Sequence, residues 1–147
     1  MDPVGESGRP GSFMGMRLSS AGAERIVELP ATAAAAGIAR RELAATPGLS
    51  GELGYRVLLL SSELIAVFVT GVEPRPESVL RLSIHVTPER VRITVAGDGP
   101  HDSADALMHS RETPSLGGYG LQIVDRMADA WGTAGGEGDR IWFELAR

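Results

Sequence analysis

A glycine-rich loop that runs directly into an amphipathic helix is the stretch of this sequence best suited to chemistry. It contains Gly117, Gly118 and Gly120, and from Leu121 to Asp129 apolar residues recur every three or four positions. Glycines let the backbone turn its N–H groups toward an anion, and the dipole at a helix start favours negative charge. The loop predicts a phosphate-binding site, although the same glycines also suit a simple chain reversal.

The other reactive side chains form a weaker pattern. Glu63, in a long predicted helix, could be a general base or a structural carboxylate hydrogen-bonded near the helix. Ser61 and Ser62 beside it lack the His/Asp arrangement that activates a serine. The three histidines are scattered without helical ligand spacing and the chain has no cysteine, so neither a metal site nor a thiol nucleophile is predicted. Trp131 and Trp142 are expected to pack in the core or the terminal hairpin rather than to stack on a base.

The composition indicates one globular domain. The chain has 147 residues, of which 43% are hydrophobic and 22% are charged, and this suits a domain with a substantial core. Its 14 basic residues are all arginine and its net charge is −5. Because no concentrated basic surface is predicted, we do not expect nucleic-acid binding. Apolar runs too short to span a membrane and the lack of a secretory signal predict a soluble, cytoplasmic protein.

The pattern of elements predicts a flexible tail at residues 1–23 and an α+β domain at residues 24–147. Helices grouped against a largely antiparallel sheet should form a two-layer α/β sandwich with one sheet face exposed. A long polar stretch, from Asp98 to Ser115, suits a mobile lid. The expected elements are a strand at Arg25–Leu29, helices at Thr32–Leu43 and Gly51–Thr70, strands at Leu80–Val86 and Val91–Val95, a helix from Leu121, and strands at Trp131–Thr133 and Arg140–Leu145.

Four segments occur in an order and spacing that resemble the histidine-kinase-like ATPase superfamily. They are the helix with Leu59–Leu64, the loop Val95–Pro100, the glycine loop and helix Gly117–Val124, and the closing strand Ile141–Leu145. Within the superfamily they are most similar to the small stand-alone anti-sigma-factor serine kinases of the RsbW type. The resemblance implies the Bergerat-type ATPase fold, with a mixed, mostly antiparallel sheet and helices on one face.

Two of the three nucleotide anchors that the resemblance implies are altered. Family members carry Glu-Leu-x-x-Asn, with the Glu as general base and the Asn as magnesium ligand, and these positions are Glu63 and Val67 here. An isopropyl group cannot bind a cation that demands oxygen ligands. The adenine-binding Asp of the family falls on Gly97. Asp98 could replace it across a one-residue bulge, and is otherwise a turn residue beside Gly99.

The glycine loop is the anchor that stays intact. By resemblance Gly118, Gly120 and Leu121 would hold the phosphates, while Asp98 and Gly99 would lie at the base. We therefore expect weak ATP binding at most, and no magnesium site. The expected function is regulation by binding a sigma factor or an anti-sigma antagonist, and a homodimer is possible because relatives commonly form one. The alternatives are an active ATP-dependent protein-serine kinase with Glu63 as base, and nucleotide binding without turnover.

Overall fold

The computed structural model describes residues 13–19, 22–70, 79–97, 120–134 and 140–147. Across these residues the chain forms one six-stranded sheet in the order β1-β2-β3-β4-β6-β5, in which every neighbouring pair is antiparallel. The elements are β1 (Phe13–Ser19), β2 (Gly22–Pro30), α1 (Ala35–Ala44), α2 (Gly51–Thr70), β3 (Val79–Val86), β4 (Arg90–Gly97), α3 (Gly120–Met127), β5 (Ala130–Ala134) and β6 (Arg140–Ala146).

The three helices form a second layer against one face of the sheet. α2 contacts α1 and α3 within the layer and contacts β4 and β6 beneath it. Alternate residues of the central strands point toward this layer, and they are buried together with the apolar stripe of α2. The core includes Leu82 and Ile84 of β3, Val91, Ile93 and Val95 of β4, and Leu60, Leu64 and Phe68 of α2. The predicted α+β fold, a two-layer α/β sandwich, is therefore confirmed.

One charged side chain joins the two layers. Arg25 of β2 lies on the inner sheet face, where its Nη2 atom is 2.6 Å from Oε1 of Glu42 on α1. Its Nη1 atom donates to the Glu42 carbonyl and, at 2.8 Å, to Oγ1 of Thr46. The side chain of Arg25 is 13% exposed, so this charge is paired and hydrogen-bonded where water has little access.

Most element bounds match the sequence prediction to within three residues, and two differences have a physical cause. Phe13–Ser19 is a strand that pairs with β2, so the expected tail at residues 1–23 is partly wrong. Its apolar residues alternate with small or polar ones from Met14 to Ser19, and the Gly, Ser and Pro residues around it obscured this strand signal. Residues 1–12 lie outside the described part of the chain.

The second difference concerns the start of α1. The helix begins at Ala35 instead of following directly on Thr32. Oγ1 of Thr32 accepts a bond from the Ala34 N–H at 3.2 Å, and its carbonyl accepts one from the Ala35 N–H at 3.0 Å. Thr32 therefore forms a turn before the helix and does not cap it, because its hydroxyl bonds its own neighbouring backbone. No helix in the described ranges has both the length and the apolar character needed to cross a membrane.

Candidate functional site

The resemblance assigns three segments to nucleotide binding, and the described residues include a part of each. The second half of α2 carries Glu63 and Val67, the last residue of β4 is Gly97, and Gly120 opens α3. α2 contacts both β4 and α3. The remaining predicted positions, Asp98, Gly99, Gly118 and the expected lid, lie outside the described residues.

Val67, at the position where the family has its magnesium ligand, belongs to the hydrophobic core. Its side chain is 6% exposed and lies in the same cluster as Leu64 and Phe68. Glu63, one turn earlier, is partly exposed, and in the described part of the chain its carboxylate has no ion pair. Placing a hard cation beside Val67 would bring it against hydrocarbon, where it lacks an oxygen ligand. The residues present here do not fit a magnesium ion.

Gly97, at the position of the adenine-binding aspartate, lies under apolar side chains. A Cβ atom added to Gly97 would be 2.8 Å from Cδ2 of Leu80 and 3.0 Å from Cδ1 of Phe68, closer than carbon atoms pack. Leu80 and Phe68 are each 2% exposed. The space that an aspartate side chain would need is therefore filled by the core, and these residues do not fit the adenine contact of the family.

Phe68 and Leu80 are the two site residues that sequence reasoning missed. The available signal was the glycine that ends an alternating strand, since such a glycine often marks the close approach of another group. The partners could not be named, because they lie on α2 and β3, far from Gly97 in the chain.

The glycine loop is described only at its last residue. Gly120 is the first residue of α3, so its N–H belongs to the group of helix-start donors without a partner inside the helix. Leu121, predicted to contact the cofactor, is fully buried with Val124 in the core. Its side chain is thus a packing residue, and any ligand contact from Leu121 must come from its backbone.

The far end of α3 is fixed by contacts with three elements. Nη2 of Arg56 on α2 donates to the Met127 carbonyl at 2.8 Å. The Trp131 indole N–H donates to Oδ1 of Asp125 at 2.8 Å, and Trp131 packs against the core. Trp131 is thus a packing residue, as the sequence predicted. The Asp129 carboxylate accepts the Ala146 N–H at 2.6 Å, which joins the turn after α3 to β6.

The sheet face without helices carries a depression of about 640 Å³ that the sequence did not predict. Its rim includes Arg81, Arg92, Arg140 and His85, and small residues such as Ala96 lie among them. The signal in the sequence was that arginines recur among the outward-facing residues of β3, β4 and β6. His85 lies on this face, as expected from its strand.

Trp142 covers one side of this outer face. A Cβ atom added to Gly132 on β5 would be 3.1 Å from the Trp142 ring, so the indole packs directly over the glycine of the neighbouring strand. The Arg92 guanidinium lies 4.0 Å from the ring centroid, a cation–π contact. Trp142 therefore packs on the terminal hairpin, as its position in the sequence indicated.

No family model matches this sequence, and a comparison with curated proteins also found no match. In the described ranges, no three His, Cys, Asp or Glu residues are grouped so that they could hold a metal ion.

Proposed function

We propose that this protein is a cytoplasmic regulator that acts by binding another protein, either a sigma factor or an anti-sigma antagonist, and that nucleotide binding is weak or lost. The observation that supports the proposal most is the packing around Gly97. Leu80 and Phe68 occupy the space beside it that an adenine-binding carboxylate would need. If core side chains fill the base-recognition position of an ATPase-like fold, the fold can still present surfaces that bind partner proteins.

The buried position of Val67 is a second argument in the same direction. Electrostatic clamping of the phosphates by a metal ion is a main source of rate in phosphoryl transfer. Val67 is 6% exposed among core residues, so a polar replacement there must be accommodated within hydrocarbon. Val67 is therefore part of the hydrophobic core of this chain, and core side chains fill the space beside Gly97.

Two features favour the alternative functions. Glu63 is partly exposed on α2, which is what a general base in an active protein-serine kinase requires. Gly120 begins α3, and a helix start is suited to phosphate, which would support nucleotide binding without turnover. Each alternative predicts a measurable affinity for ATP, whereas the first proposal does not require one.

Calorimetric titration of the purified protein with ATP and ADP separates the three functions. We expect no saturable binding at micromolar nucleotide, with or without magnesium. Micromolar affinity that is unchanged in EDTA would favour nucleotide binding without turnover. Magnesium-dependent affinity, together with phosphorylation of a serine-containing partner that is lost in Glu63→Gln, would establish the kinase and overturn the proposal.

The partner itself requires a second experiment. Tagged full-length protein is used to capture proteins from the native host, and each captured protein is then purified and retested alone. We expect direct binding of a sigma factor or an anti-sigma antagonist in the absence of nucleotide. Binding that requires added ATP would contradict the loss of nucleotide recognition.

A further inference from the structure

Three residues in register form one end of the depression on the outer sheet face. Ala96 of β4 pairs with Arg81 of β3 on one side and with Arg140 of β6 on the other, and all three residues line the depression. The Cα atoms of the two arginines are about 10 Å apart, because β4 lies between their strands and neighbouring strands are about 4.8 Å apart. Because Ala96 has only a methyl group, the space above it is open between two long cationic side chains.

These two arginines are only weakly engaged by the acidic groups of the described residues. Nη2 of Arg81 is 3.8 Å from Oε2 of Glu28, and the Arg81 side chain is 56% exposed. Arg140 is exposed, and no ion pair is found for it in the described ranges. An exposed contact such as that of Arg81 with Glu28 contributes little and leaves the guanidinium able to bind another carboxylate.

The other arginines near this surface already hold a carboxylate at hydrogen-bond distance. Arg90 and Arg92 share the Glu144 carboxylate at 3.0 and 2.9 Å, and Arg92 also lies over Trp142. Arg81 and Arg140 are therefore the arginines of the depression whose guanidinium groups are most available to a further carboxylate. The chain as a whole carries −5, but at physiological ionic strength charges separated by more than about 8 Å are largely screened, so the local pair determines what binds there.

We propose that Arg81 and Arg140 bind a carboxylate on an extended acidic segment of a partner protein that lies along the depression. The proposal rests on the proposed function, since it assumes that the protein acts by binding another protein. Each guanidinium presents parallel N–H donors that match a carboxylate, and two of them can hold one side chain from opposite sides. The acidic side chain lies above Ala96, between the two arginines.

The rest of the depression fits an extended chain. Ser83 and Thr94 pair with each other, two residues along their strands from Arg81 and Ala96, and both line the depression. In an extended segment, alternate side chains point to the same face about 7 Å apart, so the residue two positions from the bound acid lies above these hydroxyl groups. A second copy of this chain is a poorer occupant, because it would bring the same two arginines to the contact and like charges would repel.

The test uses the full chain and a fluorescent, capped peptide of alternating Glu and Ala, with the matched peptide of Gln and Ala as the neutral probe. Fluorescence anisotropy at physiological ionic strength, where the net charge of the chain is screened, gives the dissociation constants. We expect the Glu/Ala peptide to bind and the Gln/Ala peptide to bind at least tenfold more weakly. Arg81→Gln and Arg140→Gln should each weaken binding of the Glu/Ala peptide about three- to fivefold, as for exposed ion pairs, and the double variant should abolish it.

The control variant is Arg40→Gln, which removes an exposed arginine from α1 in the helix layer and should leave the affinity unchanged. An equal loss in Arg40→Gln, or equal binding of both peptides, would overturn the proposal. Self-association that disappears in the double variant while peptide binding persists would show that a second copy covers this face. All variants are first compared with wild type by circular dichroism.

The outcomes also separate this inference from the proposed function. If a host partner binds the wild type and the Arg81/Arg140 double variant equally, the arginine pair is not its docking site, although regulation by partner binding stands. If the Glu/Ala peptide binds as expected while no sigma factor or antagonist binds, the proposed function is wrong and the acidic-segment site remains.

Discussion

Replacing Gly97 by alanine should destabilise the protein, whereas the same replacement at Gly37 should stabilise it. At Gly97 the new methyl group would lie 2.8 Å from Leu80 and 3.0 Å from Phe68, and both side chains are buried. At Gly37, in α1, the nearest atom to a new Cβ is an Arg40 guanidinium nitrogen at 4.0 Å. The two variants make the same replacement of glycine by alanine, but only the one at Gly97 brings the new methyl group too close to other atoms.

The expected magnitudes follow from opposing effects at each position. Gly37→Ala gains helix propensity of about 1 kcal/mol. Gly97→Ala gains about 0.5 kcal/mol from the stiffer unfolded chain, but overpacking of a filled core costs about 1–3 kcal/mol. The net effect at Gly97 is a loss of about 0.5–2.5 kcal/mol by these values. Gly97→Asp, which introduces the residue found at this position in the family that the sequence resembles, adds about 1–3 kcal/mol for a partly desolvated carboxylate.

Urea denaturation followed by circular dichroism measures these differences in the free energy of unfolding. Phe68→Leu in the Gly97→Asp background should recover part of the loss, because it removes ring atoms from the contact. If Gly97→Ala were as stable as wild type or more so, the space beside Gly97 would be open. The argument that the core closes the base-recognition position would then be wrong.

Three further predictions follow from other positions. Val67→Asn should lower the free energy of unfolding by about 2–4 kcal/mol, because it buries an amide among hydrocarbons, and calorimetry should show no gain of magnesium-dependent ATP binding. Glu42→Gln should cost about 1–3 kcal/mol in a urea titration, because it removes the carboxylate charge that lies 2.6 Å from Nη2 of Arg25 at the layer interface, whereas a loss below about 0.5 kcal/mol would show that the pair is not structural. If residual nucleotide affinity is detected, Gly120→Val should abolish it by placing a β-branched side chain at the helix start, and unchanged affinity would move any phosphate site away from Gly120.

The parts of the fold that could be predicted are those that depend on local pattern. The bounds of α2, Gly51–Thr70, were predicted correctly from an apolar stripe between Ser50, taken as the cap, and the stop signal of Gly71 and Pro74. β3 and β4 were predicted to within two residues because alternation marks a strand with one buried face. β1 was missed because the Gly, Ser and Pro residues around it obscured the alternation of Met14, Met16 and Leu18.

The candidate site could be predicted from the sequence only at single positions. The sequence shows that Val67 lacks a ligand atom and that Gly97 lacks a carboxylate, since these are properties of residue type. It does not show that Phe68 and Leu80 fill the space beside Gly97. Likewise, the alignment of Arg81 with Arg140 across Ala96 depends on the pairing of β3, β4 and β6, which no local sequence pattern specifies.

The pairing of β2 with β3 has a consequence for how the chain folds. Pro30 at the end of β2 lies opposite Val79 at the start of β3, and the segment between them contains both α1 and α2. Closing such a loop costs chain entropy before the contacts form, whereas the β3–β4 hairpin closes through a short turn. The hairpin and α2 should therefore form the folding nucleus, and the β1–β2 pair should dock after the rate-limiting step. Substitutions in β2 would then accelerate unfolding while leaving the refolding rate nearly unchanged.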